Sequence, residues 1–173
     1  MKTLVVEISG LQVSDDADAE CVTFALGSCI GVTAWDPKRR AGGMLHYLLP
    51  LSSIAPDKAA SNPFMFADLG VPLLFERLYA LGCHKQDLVV TACGGATIND
   101  DRSVFDVGKR NYTTLRKMFW KNDVLITAED VGGTAPRTVR LNIGTGRVTL
   151  RMNGTERALW AATGDWARNT EAA

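Results

Sequence analysis

Residues 29–50 read CIGVTAW (29–35), DPKRRAGG (36–43) and MLHYLLP (44–50). Two apolar, β-rich runs flank a segment made of turn formers, and Pro50 closes the second run. This is the pattern of a strand–turn–strand unit. Asp36–Pro37–Lys38–Arg39 is good type I turn chemistry. A four-residue turn there sets Trp35 opposite Arg40, Gly31 opposite Met44 and Cys29 opposite His46. Directly opposed side chains on one face have Cβ atoms about 4.5–5.5 Å apart, close enough for a thiol and an imidazole to share a proton. A one-residue slip would send the pair to opposite faces.

Working outward, TLVVEI (3–8) and CVTFAL (21–26) read as strands, the second ended by Gly27, with the acidic SDDADAE (14–20) as a solvated loop between them. Residues 62–82 predict a helix. Asn62 caps it, Pro63 lies in its first turn, Val71, Leu74, Phe75, Leu78 and Leu81 share a face, and Gly82 stops it. Pro72 implies a kink or a later start. DLVVTACGG (87–95) is a strand running into a glycine-rich loop. RNYTTLRKMFWKN (110–122) is a helix with Tyr112, Leu115, Met118 and Phe119 inward, and DVLITAED (123–130) is another strand. Val139, Leu141 and Ile143, then Val148, Leu150 and Met152, alternate across Gly144–Thr145–Gly146 as a β-hairpin. The tail, 155–173, carries Trp160 and Trp166 without strong period and reads as a short docked helix or a frayed end. Hairpins with two amphipathic helices predict an α+β architecture with largely antiparallel sheets.

The 173 residues fit one domain with its own core. Charge is spread evenly: 7 basic and 9 acidic residues precede position 86, and 12 and 10 follow it. That excludes a nucleic-acid footprint. The apolar runs are too short to span a bilayer, and Glu7 interrupts the N-terminal one, so neither membrane insertion nor a signal peptide is expected. The expected compartment is the reducing cytoplasm. There Cys21, Cys29, Cys83 and Cys93 would be free thiols, and they lack the CxxC spacing of a zinc site. Cys21 and Cys93 lie in apolar strands, whereas Cys83, after the helix-ending Gly82, is expected to be partly exposed.

Cys29 stands apart because its segment, LGSCIGV (26–32), surrounds it with glycines and gives it an imidazole partner. An imidazolium beside a thiol stabilises the thiolate and lowers its pKa below the ordinary value of about 8.5. The same histidine can protonate a departing nitrogen, which amide chemistry requires. Gly27–Ser28 would leave backbone N–H groups near the thiol for an oxyanion. A third group normally fixes the imidazole through its other nitrogen; Thr23 and Ser28 are both candidates.

In chain order, TFALGSCIGV, GGMLHYLLP, FADLGVPLLFERL, CGGA, VGKRN, AEDVGG and NIGTGRV resemble the successive motifs of the CheD family, the chemoreceptor glutamine deamidases of bacterial chemotaxis. The resemblance covers about residues 3–152. It implies an α/β sandwich fold and a cofactor-free cysteine hydrolase that converts receptor glutamines to glutamates. Carried over by position, the nucleophile is Cys29, the histidine His46 and the threonine Thr23. The implied substrates are the cytoplasmic helices of chemoreceptors, and a CheC-like phosphatase is an implied partner. Phe66, Cys93 and the loop INDDRSVFD (98–106) depart from the family pattern and are read as part of the substrate-facing rim. Glutamate methyl esters present the same acyl carbon, so methylesterase activity is a companion expectation. The competing readings are a partner-binding chemotaxis regulator with little turnover and a cysteine peptidase.

Overall fold

The computed structural model describes residues 1–97 and 106–162. Strands β1 (Lys2–Val5), β2 (Gly10–Ser14) and β3 (Ala19–Leu26) precede the central hairpin, β4 (Ile30–Asp36) and β5 (Ala41–Tyr47). Helices α1 (Pro56–Ser61) and α2 (Ala67–Ala80), strand β6 (Val89–Gly94) and helix α3 (Val107–Lys121) follow. Strands β7 (Ile126–Val131), β8 (Arg137–Asn142), β9 (Val148–Met152) and β10 (Thr155–Trp160) complete the described chain. The strands form two five-stranded sheets, ordered β1-β3-β8-β9-β10 and β2-β5-β4-β6-β7. Pairing is antiparallel except between β1 and β3 and between β6 and β7. The α+β class expected from the sequence is the one found.

Every residue of β4 and β5 is buried, because both faces of that hairpin are covered. Ile30, Val32, Ala34, Leu45 and Tyr47 pack with Val71, Leu74 and Leu78 of α2 and with Leu115 and Phe119 of α3. On the other face Cys29, Trp35 and Met44 pack with Cys21, Val139, Leu141 and Leu150 of the second sheet. The layers are therefore helices, sheet, sheet. No described helix is long and apolar enough to cross a membrane.

Trp35 fastens the two sheets. Its indole Nε1 donates to the Ile143 carbonyl at 2.7 Å, and its ring packs on Trp160, centroids 5.8 Å apart. Gly146 (φ +71°) lies directly under the indole, where a Cβ would come within 2.2 Å of the ring. Glycine is required there by both space and backbone conformation.

The register of the central hairpin differs from the one the turn predicted. Asp36 pairs with Ala41 and Trp35 with Gly42, so the turn consists of residues 37–40. Asp36 stays in the ladder because its Oδ1 accepts from the Lys38 and Arg39 amides at 2.8 and 3.1 Å, closing the turn from within the strand. Gly42, with no side chain, leaves space for the indole of Trp35, which a Cβ would approach to 2.9 Å. The shift is two residues. Gly31, not Cys29, is opposite His46, but an even shift leaves every side chain on its expected face.

Other elements differ in extent. β2 and α1 were not foreseen. Asn62 does cap, but what it caps is a short 3-10 turn at Pro63–Met65, accepting from the Phe64 amide, and α2 starts only at Ala67. Pro72 lies inside α2, on its exposed side. Residues 155–160 form β10 against β9 rather than a helix or a frayed end, because Trp160 docks on Trp35. Cys83 is buried in the helix-side core, not partly exposed. Phe66 and Cys93 are both wholly buried, so neither forms a rim. Of the 98–106 loop only Asp106 lies within the described residues, and Trp166 lies outside them.

Replacing Trp35 with Phe removes the indole donor and leaves the buried Ile143 carbonyl unpaired. An expected loss of about 1–3 kcal/mol in unfolding free energy follows, measurable by urea denaturation with an unchanged m-value.

Candidate active site

Cys29 sits where the chain crosses from one sheet to the other. A β-bulge prepares the crossing: Thr23 pairs with Val139 and Leu26 with Arg137, so β3 carries one residue more than β8 over this interval. Ala25 takes the extra turn at φ +52°, and Phe24 and Ala25 are pushed out to solvent while Leu26 returns to the core. Gly27–Ser28–Cys29 then bridges to β4. Each carbonyl of that loop is taken. Gly27 accepts from the Ala96 amide at 2.8 Å, Cys29 from the Gly95 amide at 2.9 Å, and Ser28 from Asn111 Nδ2 at 2.9 Å.

The CGGA and VGKRN segments are what make this close packing possible. A Cβ on Gly94 (φ +112°) would fall 2.1 Å from the Cys29 carbonyl oxygen. One on Gly108 would meet Ala96 O at 2.5 Å. The two glycines let β6 and the start of α3 lie against the Cys29 loop.

His46 lies in the middle of β5, with Gly31 as its neighbour on β4 and Gly10 on β2. The imidazole lies beside Thr23, whose methyl group, with the Leu26 side chain, borders the space that a Cβ on Gly31 would enter. His46 is 1% exposed. Thr23 Oγ1 lies 2.7 Å from His46 Nδ1 and donates to the Val6 carbonyl, also at 2.7 Å. The hydroxyl has one proton, and a carbonyl can only accept it. Thr23 therefore accepts from Nδ1–H, which leaves Nε2 as the unprotonated, basic nitrogen of the ring. That Nε2 is buried and has no hydrogen-bond partner among the described residues. Of the two candidates for the third group, Thr23 holds Nδ1. Ser28 is half-buried and enters the network through its backbone.

Continuing the β4 ladder back one residue places Cys29 diagonal to His46 on the face between the sheets, rather than directly opposite. The electrostatics also differ from the sequence expectation. Burial pushes the Cys29 thiol up, its own backbone amide pulling in the opposite direction, and holds the imidazole down to about 4. Both groups are therefore neutral at rest near pH 7. Among the described residues no hydrogen bond or ion pair joins the thiol and the imidazole, so the preformed ion pair that the sequence suggests is not found.

These features define a class: a two-sheet α+β protein with a threonine–histidine pair buried beside a loop cysteine. The family model described as CheD chemotactic sensory transduction matches residues 48–152. A probable chemoreceptor glutamine deamidase CheD 1 of Syntrophus aciditrophicus (strain SB) is 50% identical over 89% of this chain and 96% of its own length. The corresponding protein of Solibacter usitatus (strain Ellin6076) is 46% identical over 92% and 94%, and CheD 2 of Anaeromyxobacter dehalogenans (strain 2CP-C) is 49% identical over 87% and 95%. The chain belongs to the CheD family.

The sequence did not identify Val6, whose role lies in a backbone carbonyl, or Asn111, which was read only as part of a helix. The asparagine had a signal: it closes the VGKRN motif at an inward-facing helical position.

A neutral buried histidine leaves a signature in stability. With the imidazole at about 4 in the folded state against about 6.5 unfolded, the unfolded chain binds the extra proton between those values. The stabilising contribution is complete above pH 6.5 and is lost as pH falls towards 4, by roughly 3 kcal/mol in all. Urea denaturation across pH 4–7 should show this fall in the wild type and its reduction in His46→Gln. Thiol labelling gives a second expectation. Cys29 is 8% exposed, while Cys21 and Cys93 are fully buried with thiols raised to about 12, and Cys83 is 3% exposed and raised to about 11. Peptide mapping after limiting iodoacetamide should find Cys29 modified first, and His46→Ala should slow that labelling alone.

Proposed function

We propose that this protein is a chemoreceptor glutamine deamidase in which Cys29 is the nucleophile, His46 the general base and acid, and Thr23 the group that orients His46. The observation that carries the reading is the Thr23–His46 hydrogen bond, which fixes the basic nitrogen of a buried imidazole on the face Cys29 shares. Family membership supplies the substrate class: relatives of nearly full-length match are named as chemoreceptor glutamine deamidases.

A glutamine side chain entering the site brings its carbonyl carbon to the sulfur. His46 Nε2 takes the thiol proton as the sulfur–carbon bond forms, so charge separation develops only when substrate is present. The Cys29 backbone amide, which pulls the thiol's pKa down, is a donor near where the oxyanion develops. The imidazolium returns its proton to the departing nitrogen, ammonia leaves, and a thioester remains. Water, losing a proton to the same nitrogen, then hydrolyses the thioester to glutamate and restores the thiol. These steps use only groups of the chain. A glutamate methyl ester offers the same acyl carbon with methanol as leaving group, so methylesterase activity belongs to the same proposal, as does a cytoplasmic location.

The test is incubation with a chemoreceptor cytoplasmic domain, following ammonia release and locating Gln-to-Glu conversions by mass spectrometry. Cys29→Ser should abolish both while keeping the wild-type circular dichroism spectrum. His46→Ala should lose about 10²–10⁴-fold, and Thr23→Ala less, since both reacting groups remain. Backbone cleavage would make the protein a peptidase instead. Binding without ammonia release would make it a regulator.

A further inference from the structure

We infer that Asn111 is a positioning residue that sets the Cys29 loop against the His46 strand; this rests on the deamidase reading above. Asn111 lies on α3 and is wholly buried. Its Nδ2 donates to two carbonyls at 2.9 Å each, that of Ser28, just before the thiol, and that of Leu48, two residues past the imidazole. One nitrogen thus ties together the two chain segments that bring the reacting groups. The partners fix the amide's orientation, since two carbonyls can be satisfied only by a group with two protons. Serine and threonine offer one such proton, aspartate none at neutral pH and leucine none at all.

Two further observations separate this role from packing. Asn111 Oδ1 is buried and has no partner among the described residues. A residue kept only to fill space would be better replaced by an apolar one, since an unpaired buried acceptor is costly. The position of α3 is also fixed independently. Tyr47, next to His46, donates its buried hydroxyl to the Asn111 carbonyl at 2.8 Å, and Gly108 brings the helix against the Gly95–Ala96 backbone. The helix is therefore held in place at its own backbone, and the side chain is left to govern the spacing between residues 28 and 48. The side-chain hydrogen bonds of Asn111 go to the loop and the strand rather than to the thiol or the imidazole. Asn111 acts through these two segments.

The experiment compares wild type, Asn111→Asp, Asn111→Ser and His46→Ala in two assays. In receptor deamidation, both Asn111 variants should lose roughly 10- to 100-fold in kcat with little change in KM, as expected when reacting groups are displaced by a fraction of an ångström to an ångström. In the pH–rate profile for iodoacetamide labelling of Cys29, the Asn111 variants should move from the wild-type curve towards the His46→Ala curve. Trp35→Phe, destabilised elsewhere in the core, should keep the wild-type curve, so a general loss of stability cannot mimic the effect. Asn111→Ser retains one donor and serves if Asn111→Asp does not fold. A folded Asn111 variant with wild-type kcat and labelling profile would overturn the assignment, and so would one that raises KM alone. If wild type and His46→Ala labelled identically, the Cys29–His46 pairing itself would fall, and the Asn111 assignment with it.

Discussion

A neutral imidazole in a buried core is the constraint around which this molecule is arranged. His46 lies on a strand covered by helices on one side and by a second sheet on the other. In such a place a charged ring would be severely penalised, and a neutral ring with both nitrogens unsatisfied would be penalised too, though far less. Thr23 resolves half the problem by donating a hydrogen bond to the Val6 carbonyl and accepting one from Nδ1–H. The other half is left open at Nε2. Gly31 on the neighbouring strand leaves the space that Leu26 and Thr23 need, 2.9 and 3.7 Å from where its Cβ would stand. Buried polar groups are ordinarily paired, and Nε2, one of three unpaired buried side-chain atoms among the described residues, is the one the proposed chemistry uses.

The loop that carries the thiol follows a different logic. It has no regular secondary structure, yet its three consecutive carbonyls are bound by the Gly95 and Ala96 amides and by Asn111. Loops are ordinarily the mobile parts of a fold. This one is fixed from behind by backbone, with glycines at 94 and 108 allowing the approach. The thiol remains the most accessible of the four cysteines, presented on a rigid support.

Much of this was legible from the chain, and the parts that were not share a cause. The hairpin at 29–50, the hairpin across Gly144–Gly146, the α3 helix and the shared face of Cys29 and His46 all follow from local pattern. The hairpin register failed by two residues because Asp36 uses its side chain to close the turn from within the strand, a contact that composition does not reveal. β10 was missed because what orders it is Trp160 against Trp35, a tertiary contact between residues 125 positions apart. The raised thiol and lowered imidazole were missed because pairing alone predicts an ion pair, whereas burial decides the sign. Local pattern alone left Thr23 and Ser28 open as partners of the imidazole, whereas the family resemblance pointed to Thr23, whose Oγ1 lies 2.7 Å from His46 Nδ1.

The bonds from Asn111 to Ser28 and Leu48 join positions 83 and 63 residues apart. Such separations make a site late to assemble, since a long stretch of chain must be ordered before the contact can form. A nascent polypeptide that has emerged only as far as the central hairpin already contains the cysteine, the histidine and the threonine. Without α3, the carbonyl of Ser28 has no side chain to hold it. A hydrolase that would act on the side chains of other proteins thus has its reacting groups by residue 46 and the side chain that aligns them only at residue 111.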